Sequence, residues 1–415
     1  MFKEILIDKI LRTVKKMIPS LVFNFLSPVY HWGLAMLGAA WYGFPSKSLK
    51  IIGVTGTKGK STTVHMITKI FEEAGKSVAA VGSLGFKIKD KEWPNILKMT
   101  MPGRTRLQNF LARAKRAGCE YVIMEITSEG IAQHRLIGID IDCAVITNLH
   151  KEHIESHGSF ENYLKAKQKL FLKTGHIHVL NIDDPYFEKF ANFKAGTKIT
   201  YGRQGLINPQ RYDLNLKLLG DFNESNALAA LAVADAYRLD LNKAIDSLNS
   251  IESIPGRMEI IDYKDKSVKV VIDYAHTPDS LELVYKNLKQ MLNGGKLIGV
   301  LGAAGGGRDK WKRPEFGRIA DEYCDQIILT NEDPYDEDPG QILSQIKSGI
   351  SNSQFSVSKV KEIMDRGQAI EHALTFAKMG DIIVITGKGS ETSIAIHNGI
   401  KIPWSDKEVI LKNIQ

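Results

Sequence analysis

The segment from Leu49 to Gly75 constrains the fold of this chain more than any other segment. An apolar run, LKIIGVTG, enters the glycine-rich turn TKGK, and the helical pattern STTVHMITKIFEEAG leaves it and ends at Gly75. Glycines let backbone N–H groups approach phosphate oxygens, and the N-terminus of the following helix favours an anion. We therefore predict a buried strand, a phosphate-binding loop and a helix.

The loop is a variant of the usual phosphate-loop pattern. In G-x-x-x-x-G-K-[ST] the first glycine would fall on Val54, and the chain reads G-T-x-G-K-[ST] instead. Lys60 would reach the β- and γ-phosphates of ATP, and the Ser61 hydroxyl would bind Mg²⁺. A glycine-rich turn without a ligand is the alternative, but the strand and helix around the loop argue against it. We expect the nucleotide to contact the following residues: Gly56, Thr57, Lys58, Gly59, Lys60, Ser61 and Thr62.

Short apolar runs continue to alternate with helical patterns after this loop, which predicts parallel sheets covered by helices. The first unit has further strands in KSVAAVGS, CEYVIMEI, IDCAVITNL and HIHVLNID. A second unit starts near Pro255, with strands in VKVVIDYAH, KLIGVLGAAGG, DQIILTNED and DIIVITGKG. The 415 residues exceed one compact core. We predict an α/β protein with a P-loop-type central ATPase domain (49–254), a C-terminal Rossmann-like domain (255–415) and a short helical N-terminal arm (1–48).

Polar residues follow the third and fourth predicted strands, at the carboxyl ends where α/β sheets bind ligands. The third strand ends in Met-Glu125-Ile-Thr-Ser, and the fourth leads into a stretch with three histidines. Glu125 offers a hard oxygen ligand for Mg²⁺. His153 could complete a second metal site, whereas His150 and His157 are interpreted as structural.

The N-terminal arm contains a long uncharged stretch. Residues 17–46 have no Lys, Arg, Asp or Glu, and lysines lie on both sides of them. Pro28 splits the stretch, so neither half has the ~20 apolar residues of a membrane-spanning helix. Its aromatic residues and flanking lysines favour a peripheral membrane anchor. A helical arm packed on the next domain fits the same pattern, and the sequence leaves both interpretations open.

Charge and cysteine content restrict the setting. The formal net charge is +8, which favours anionic partners such as nucleotides, phosphorylated substrates or an anionic membrane face, although a general solubility charge would look the same. The three cysteines are far apart and odd in number, which argues against a disulfide scaffold or a structural zinc site. We expect a cytoplasmic protein, and membrane association stays open as an additional feature.

Ten segments together resemble the Mur ligases of peptidoglycan synthesis, and most closely the branch that adds the third residue to a UDP-MurNAc peptide. They occur in that family's order over residues 49–405 and read GVTGTKGKSTT, MTMPG, MEITSEG, TNLHKEHIESHGSFENYLKAKQKLF, LLGDFNESNALAALAVA, PGRMEII, VIDYAHTPDSLE, GAAGGGRDKWKRP, LTNEDPYDEDP and GKGSE. The resemblance implies an ATPase domain over which a Rossmann-like domain closes.

The resemblance also implies roles for individual residues. Lys167, in YLKAKQKLF, matches the lysine that this family carbamylates, although a solvated helix lysine is the alternative. The implied catalytic residues are Lys60, Glu125, His153 and Lys167, and the implied metal ligands are Ser61, Glu125, His153 and Lys167. Further nucleotide contacts would come from Asn223, Asn226, Arg257, Asp273 and His276. The expected substrate contacts are Thr100, Ser128, Arg308, Asp333, Lys388 and Glu391.

Several positions depart from the family pattern. Only 48 residues precede the predicted ATPase domain, where the family has a UDP-binding domain, so we expect the UDP-MurNAc carrier to be bound differently. Tyr335 stands where an Arg of the family binds the distal carboxylate of meso-diaminopimelate, and Tyr cannot form that bidentate ion pair. Glu129, Ser390 and Lys58 are further departures.

The missing Arg argues for lysine or another diamino acid as the added residue. A side-chain ammonium could bind the acidic run of Glu332, Asp333, Asp336, Glu337 and Asp338, which could equally be a solvated loop. We expect an ATP- and Mg²⁺-dependent ligase that acts on a UDP-MurNAc peptide or related anionic muropeptide, as a monomer and without nucleic acid. A folylpolyglutamate-type ligase, a ligase for a lipid-linked carrier and a non-catalytic nucleotide-binding paralogue remain the alternatives.

Overall fold

The computed structural model describes residues 32–97, 99–150, 157–263, 267–307, 309–351 and 358–414. In these ranges the chain forms an eight-stranded sheet, a six-stranded sheet and a small two-stranded sheet. Helices cover both faces of the two large sheets. The predicted α/β class with parallel sheets is confirmed.

The eight-stranded sheet carries the glycine-rich loop. Its spatial order is β4-β3-β2-β5-β1-β6-β7-β8. Neighbouring strands in the part β2-β5-β1-β6-β7-β8 pair in parallel. Strand β1 lies between β5 and β6, so the loop after β1 meets the carboxyl ends of both neighbours. The strands are β1 (Lys50–Thr55), β2 (Val78–Gly82), β3 (Gly85–Ile88), β4 (Lys91–Trp93), β5 (Tyr121–Glu125), β6 (Cys143–Ile146), β7 (Ile177–Asn181) and β8 (Thr197–Tyr201).

Two helix layers enclose this sheet. On one face α2 and α7 pack together, and α7 is buried on nearly every side because its alanines allow close approach. Helices α3 and α5 cover the opposite face. The helices are α1 (residues 32–41), α2 (Lys60–Glu73), α3 (Arg104–Arg116), α4 (Ser128–Ala132), α5 (Phe160–Lys173), α6 (Glu188–Ala191), α7 (Phe222–Ala236) and α8 (Leu241–Asn249), with a 3₁₀ turn at Pro45–Ser48.

The six-stranded sheet has the order β13-β12-β11-β14-β10-β9, in which β9 alone pairs antiparallel. Its strands are β9 (Glu259–Tyr263), β10 (Val268–Ile272), β11 (Leu297–Leu301), β12 (Gln326–Leu329), β13 (Val360–Glu362) and β14 (Ile382–Ile385). Its helices are α9 (Pro278–Met291), α10 (Lys312–Tyr323), α11 (Pro339–Lys347), α12 (Arg366–Phe376) and α13 (Asp406–Ile414). The hairpin of β15 (Ser393–Ala395) and β16 (Lys401–Pro403), with a 3₁₀ turn at His397–Gly399 between them, follows β14.

The strands inferred from apolar runs are all present, but the edges of the sheets were not predicted. The β3–β4 hairpin pairs antiparallel at one edge of the larger sheet, and β9 does the same in the smaller one. These strands are short and partly exposed, so they lack the continuous apolar run of a central strand. Strands β8 and β13 were missed for the same reason.

The described part of the N-terminal arm packs on the larger sheet's helices. Ala35 and Ala39 of α1 are fully buried, and the backbone at Gly38 approaches Thr105 of α3. Residues 17–31 of the uncharged stretch lie outside the described residues. No helix in the described part of the chain is both long and apolar enough to cross a membrane.

Candidate functional site

A cleft of about 1220 Å³ lies between the two large sheets. The larger sheet lines it with the loop after β1 and with residues after β5 and β6. The smaller sheet lines it with residues that follow β10, β11, β12 and β14, namely 273–276, 303–305, Glu332, Asp333, Tyr335, Gly387 and Glu391. The carboxyl ends of both sets of parallel strands therefore face one cavity, which is where α/β folds bind ligands.

The glycine-rich loop, residues 56–62, is held from behind by the residues after β6. Thr147 Oγ1 donates to the Lys58 carbonyl at 2.6 Å, and the Lys58 N–H donates to Asn148 Oδ1 at 2.9 Å. Gly56 has a φ of 148°, and a Cβ there would lie 1.8 Å from Thr147 Oγ1. The loop path therefore requires glycine at this position.

The start of α2 is prepared for an anion. Gly59 precedes the helix with a φ of 80° and offers no capping side chain to the first N–H groups. A Cβ on Gly59 would lie 2.2 Å from Asn226 Oδ1, so this glycine is also required by packing. Lys60 Nζ donates to the Thr57 carbonyl at 2.8 Å. Uncapped amides and a lysine at one helix end suit a phosphate group.

Glu125 lies directly beside this helix end. Its Oε1 accepts a hydrogen bond from Ser61 Oγ at 2.8 Å, and its Oε2 accepts one from the Ser83 N–H. Arg257 from the smaller sheet reaches across the cleft and donates to Ser61 Oγ at 3.2 Å. A hydroxyl and a carboxylate in contact form a pair of hard oxygen donors that fit Mg²⁺.

The second predicted metal site is only partly visible. Lys167 is buried, donates from Nζ to the Gly56 carbonyl at 2.7 Å and lies 4.7 Å from the centre of the Tyr163 ring. Lys167 is therefore not a solvated helix lysine. His153 lies outside the described residues. Among the described residues, no group of three or more His, Cys, Asp or Glu could hold a metal ion by itself.

The two other histidines of this stretch lie close to the loop. The His150 N–H donates to Thr57 Oγ1 at 2.9 Å, which makes a structural contact. The His157 ring nitrogen Nε2 is 3.0 Å from Ser128 Oγ, and both residues line the cleft. The His157 ring also packs edge-on against Tyr163, so the structural interpretation of His157 stays a prediction.

The predicted nucleotide contacts Asn223 and Asn226 lie in a hydrogen-bonded group at the start of α7. Asn226 Nδ2 donates to Asn223 Oδ1 at 3.2 Å, and Thr63 Oγ1 donates to Asn226 Oδ1 at 3.4 Å. Asn223 Nδ2 donates to the Leu219 carbonyl at 2.7 Å. Asn226 lines the cleft, whereas Asn223 lies behind it.

The segment after β10 forms the opposite wall. Asp273 accepts hydrogen bonds from the N–H groups of Met258 and Ala275, at 2.8 and 2.7 Å, and so fixes the turn that holds Arg257. Burial raises the pKa of Asp273, and the nearby Arg257 opposes that shift. His276 is exposed at the rim, with Nδ1 3.0 Å from the Tyr274 carbonyl oxygen.

At the far end of the cleft a buried lysine is surrounded by carboxylates. Lys388 is fully buried and donates to both oxygens of Asp333, at 3.0 Å each, and to Glu391 Oε2 at 2.6 Å. Asp333 also accepts the Ala395 N–H at 2.6 Å. The Tyr274 hydroxyl donates to Glu391 Oε1 at 3.4 Å.

Glu332 is the carboxylate at this end that is left for a ligand. It is 5% exposed and lines the cleft, and no described residue donates a hydrogen bond to its carboxylate. Burial raises the pKa of Glu332 to about 7, with Lys388 lowering it and Asp333 raising it. A carboxylate on the cleft wall would favour a cationic or hydrogen-bond-donating group of a ligand beside it.

The structure corrects the expectation that the whole acidic run receives an ammonium. Asp333 is occupied by Lys388, Asp336 accepts the Asn398 N–H at 2.8 Å, and Asp338 caps α11. Glu337 binds Arg313, whose guanidinium lowers the pKa of Glu337 to about 2. The run is therefore mostly structural rather than a solvated loop, and Glu332 was not singled out because its burial is invisible in the sequence.

Most of the predicted site residues surround one cavity. Arg308 lies outside the described residues, and Lys388 is buried behind Asp333 and Glu391. Thr100 shares a contact of 2.9 Å with Ser83 through their hydroxyl oxygens. The predicted residues that line the cleft are Gly56, Thr57, Lys58, Gly59, Lys60, Ser61, Thr62, Thr100, Glu125, Ser128, Lys167, Asn226, Arg257, Asp273, His276, Asp333 and Glu391.

Two family models match the chain. The Mur ligase middle domain matches residues 54–234, and the Mur ligase, glutamate ligase domain matches residues 256–389. The UDP-N-acetylmuramoyl-L-alanyl-D-glutamate--2,6-diaminopimelate ligase of Geobacillus thermodenitrificans is 35% identical over 404 residues, which are 91% of this chain and 81% of that protein. The UDP-N-acetylmuramyl-tripeptide synthetase of a Roseiflexus species is 35% identical over 410 residues, 90% of this chain and 80% of that protein.

Solved structures give a consistent result. A UDP-N-acetylmuramoyl-L-alanyl-D-glutamate--2,6-diaminopimelate ligase superposes with a TM-score of 0.59 at 33% identity, over 88% of this chain and 78% of that one. The folylpolyglutamate synthase of Mycobacterium tuberculosis superposes with a TM-score of 0.67 at 16% identity, over 86% of this chain and 92% of that one. The second likeness shows the fold alone.

Proposed function

The chain belongs to the Mur ligase family, an ATP-dependent group of peptide-bond-forming ligases, and we propose that it joins a diamino acid to the peptide carboxylate of a UDP-MurNAc peptide. The observation that carries this proposal is the cleft itself. An anion-binding helix end with Lys60, Ser61 and Glu125 faces, across one cavity, the carboxylates of Glu332 and Glu391. The relatives at about one-third identity favour the muropeptide carrier over the folylpolyglutamate alternative.

The reaction would proceed through an acyl phosphate. An oxygen of the carrier carboxylate attacks the γ-phosphorus of ATP and ADP leaves. The neutral amine of the incoming amino acid then attacks the acyl carbon, and the acyl–oxygen bond breaks. Phosphate leaves with the electrons of that bond and takes up the proton that the amine loses. In this proposal Lys60 and the first N–H groups of α2 neutralise charge on the transferred phosphoryl group.

Mg²⁺ would be held by Ser61 and Glu125, together with the phosphates of ATP, and would supply Lewis-acid stabilisation of the phosphoryl charge. The contact between these two side chains supports this assignment. Lys167, carbamylated as its resemblance implies, together with His153, would hold a second ion near the carrier carboxylate. Arg257 and Asp273 would position the nucleotide from the other sheet, and Asn223, Asn226 and His276 would border the adenine side.

The carrier would enter past Thr100 and Ser128, and Arg308 would be a further substrate contact. The amino acid would lie between Glu391 and Glu332, with Lys388 and Asp333 fixing Glu391. Tyr335 stands where a carboxylate-binding Arg would favour diaminopimelate, and the Glu332 carboxylate offers an acceptor for a distal ammonium. We therefore favour lysine over meso-diaminopimelate. An acyl phosphate hydrolyses in water, so the enclosure of the cleft by both sheets would protect it.

The setting belongs to the same proposal. The three cysteines are free and buried, which supports a reducing cytoplasm. We propose a monomer that makes peripheral contact with a membrane through residues 17–46, and domains bounded at residues 48 and 254.

The decisive experiment is amino-acid-dependent phosphate release from ATP by the purified protein with UDP-MurNAc-dipeptide. Lysine, ornithine and meso-diaminopimelate are compared at equal concentration, with carrier alone as the background. Release with lysine or ornithine, and product of the matching mass, is the expected result. Release with diaminopimelate alone would refute the lysine assignment, and no release with any of them would refute this carrier.

A further inference from the structure

The outer face of α1 is apolar and exposed to solvent. Trp41 is 85% exposed and Leu37 is 69% exposed, one turn apart on the same side of the helix, and Trp32 at the start of α1 is also exposed. Ala35 and Ala39 on the inner side are buried. Large apolar side chains that cluster on a surface usually mark a contact with another molecule or with a membrane.

The surroundings of this face are strongly basic. Helix α3, on which α1 packs, has the sequence RTRLQNFLARAKR, with five cations and no carboxylate. Asn109 of α3 donates to the Tyr42 hydroxyl at 3.1 Å, which fixes the two elements together. The last turn of α3 exposes Lys115 and Arg116, and Lys47 is exposed after α1.

Three partners could cover the outer face of α1, namely residues 1–31, a second copy of the chain or a lipid surface, and their charges distinguish them. Residues 1–31 carry five cations and two carboxylates, so they are themselves basic and unsuited to α3. A second copy of the chain would bring the same cations and a net charge of +8 against itself. An anionic lipid surface complements both features, since aromatic and leucine side chains enter the headgroup boundary while lysines and arginines attract acidic headgroups.

We propose that the α1–α3 surface, formed by Trp32, Leu37, Trp41 and the cations of α3, docks on an anionic lipid bilayer. This inference deepens the membrane contact of the proposed function and names the surface and the lipid charge. The turn Pro45–Ser48 joins α1 to the Lys50 end of β1, whereas the phosphate loop follows the other end of that strand. Docking through α1 would therefore keep the cleft in the aqueous phase.

The test is co-sedimentation of the full chain with vesicles of phosphatidylcholine containing phosphatidylglycerol, and with vesicles of phosphatidylcholine alone. The protein should bind the anionic vesicles, and raising the ionic strength should weaken binding as surface charges are screened. The double variant Leu37→Ser, Trp41→Ser should lower the partition coefficient at least about tenfold, because it removes two apolar insertions. Phosphate release with UDP-MurNAc-dipeptide should stay unchanged in that variant.

The matched control is Phe376→Ser, Met379→Ser, which removes two other exposed apolar side chains, from the smaller-sheet region. It should bind anionic vesicles as the unaltered protein does. Equal binding by the α1 variant, or no binding by the unaltered protein, overturns the proposal. A lowered melting temperature of the α1 variant with unchanged lipid binding also overturns it and assigns the face to contacts within the chain. Lipid binding without any ligase activity would leave this inference standing and reject the ligase assignment alone.

Discussion

Single residues in this cleft owe their chemistry to what surrounds them. Glu125 receives hydrogen bonds from Ser61 and Ser83, which fix the orientation of its carboxylate beside the start of α2. Glu332 is equally buried but receives none from the described residues, so burial raises its pKa to about 7. We therefore propose different roles for them, with Glu125 as a Mg²⁺ ligand and Glu332 as the acceptor for an ammonium group.

The first prediction concerns binding of the diamino acid. Glu332→Gln should raise KM for lysine about tenfold or more above pH 7, because a hydrogen bond to a charged partner is worth ~1.5–3 kcal/mol. In the unaltered enzyme kcat/KM should fall as the pH drops below about 7, since the carboxylate becomes protonated, and the variant should lack this dependence. Glu371→Gln, an exposed acid of α12, is the control. An unchanged KM in Glu332→Gln would remove Glu332 from the binding site.

The same variant gives a stability test with a defined sign. The folded-state pKa of Glu332 is raised from 4.5 to about 7, so the folded protein binds the proton more tightly than the unfolded chain. Its contribution to stability is therefore present below pH 4.5 and is lost as the pH rises through about 7. Above that pH, Glu332→Gln should melt at a higher temperature than the unaltered protein.

At the scale of elements, the loop and α2 depend on backbone positions that side chains cannot occupy. Gly56 and Gly75 both have positive φ, at 148° and 71°, but their surroundings differ. A Cβ on Gly56 would collide with Thr147, whereas nothing lies within 4 Å of a Cβ on Gly75. Gly56 is therefore required both for its positive φ and for lack of space, whereas Gly75 is required for its positive φ alone.

The second prediction compares these glycines. Gly75→Ala should cost only the left-handed backbone penalty, ~1–2 kcal/mol, and leave the KM for ATP unchanged. Gly56→Ala should abolish ATP binding, because the loop must move away from β6 to accommodate the methyl group. Urea unfolding and calorimetric titration with ATP measure the two effects. Tight ATP binding by Gly56→Ala would show that the loop has another path.

At the scale of the whole molecule, segments that belong to the two sheet regions contact each other at two places beside the cleft. Lys58 Nζ of the ATP loop is 3.8 Å from Asp279 Oδ2 in the first turn of α9. Lys401 of the β15–β16 hairpin donates to the Ile96 carbonyl at 3.1 Å, near the predicted carrier contact at Thr100. These contacts hold the smaller-sheet region over the nucleotide loop.

The third prediction tests whether Lys58 and Asp279 act together. Asp279 is 69% exposed, so the pair should contribute no more than ~1 kcal/mol. Lys58→Asn and Asp279→Asn should each lower kcat/KM by up to about fivefold. The kcat/KM of the double variant should not fall below that of the less active single variant. Lys69→Gln and Glu73→Gln, an ion pair within α2, provide the control cycle. Additive effects of Lys58→Asn and Asp279→Asn would mean that the pair does not couple the two sheets.

The order of the central strands along the chain could be predicted from the sequence. Continuous apolar runs such as those of β1, β5 and β6 are buried on both faces, so they identify central parallel strands without any knowledge of neighbours. The glycine loop, Lys60, Ser61 and Glu125 could be assigned because parallel strands place their carboxyl ends together. The β3–β4 hairpin could not, because short edge strands are stabilised by pairing and carry no strong pattern of their own.

Tertiary structure alone decided which acidic residues are available to a ligand. Five neighbouring carboxylates look alike in Glu332-Asp-Pro-Tyr-Asp-Glu-Asp338, yet partners from distant segments occupy three of them and Asp338 caps α11. Burial and hydrogen bonding are properties of contacts between segments that lie far apart in the chain. For that reason the sequence determined the fold, the family and the ATP loop, whereas only the folded chain distinguished Glu332 from its neighbours and exposed the apolar face of α1.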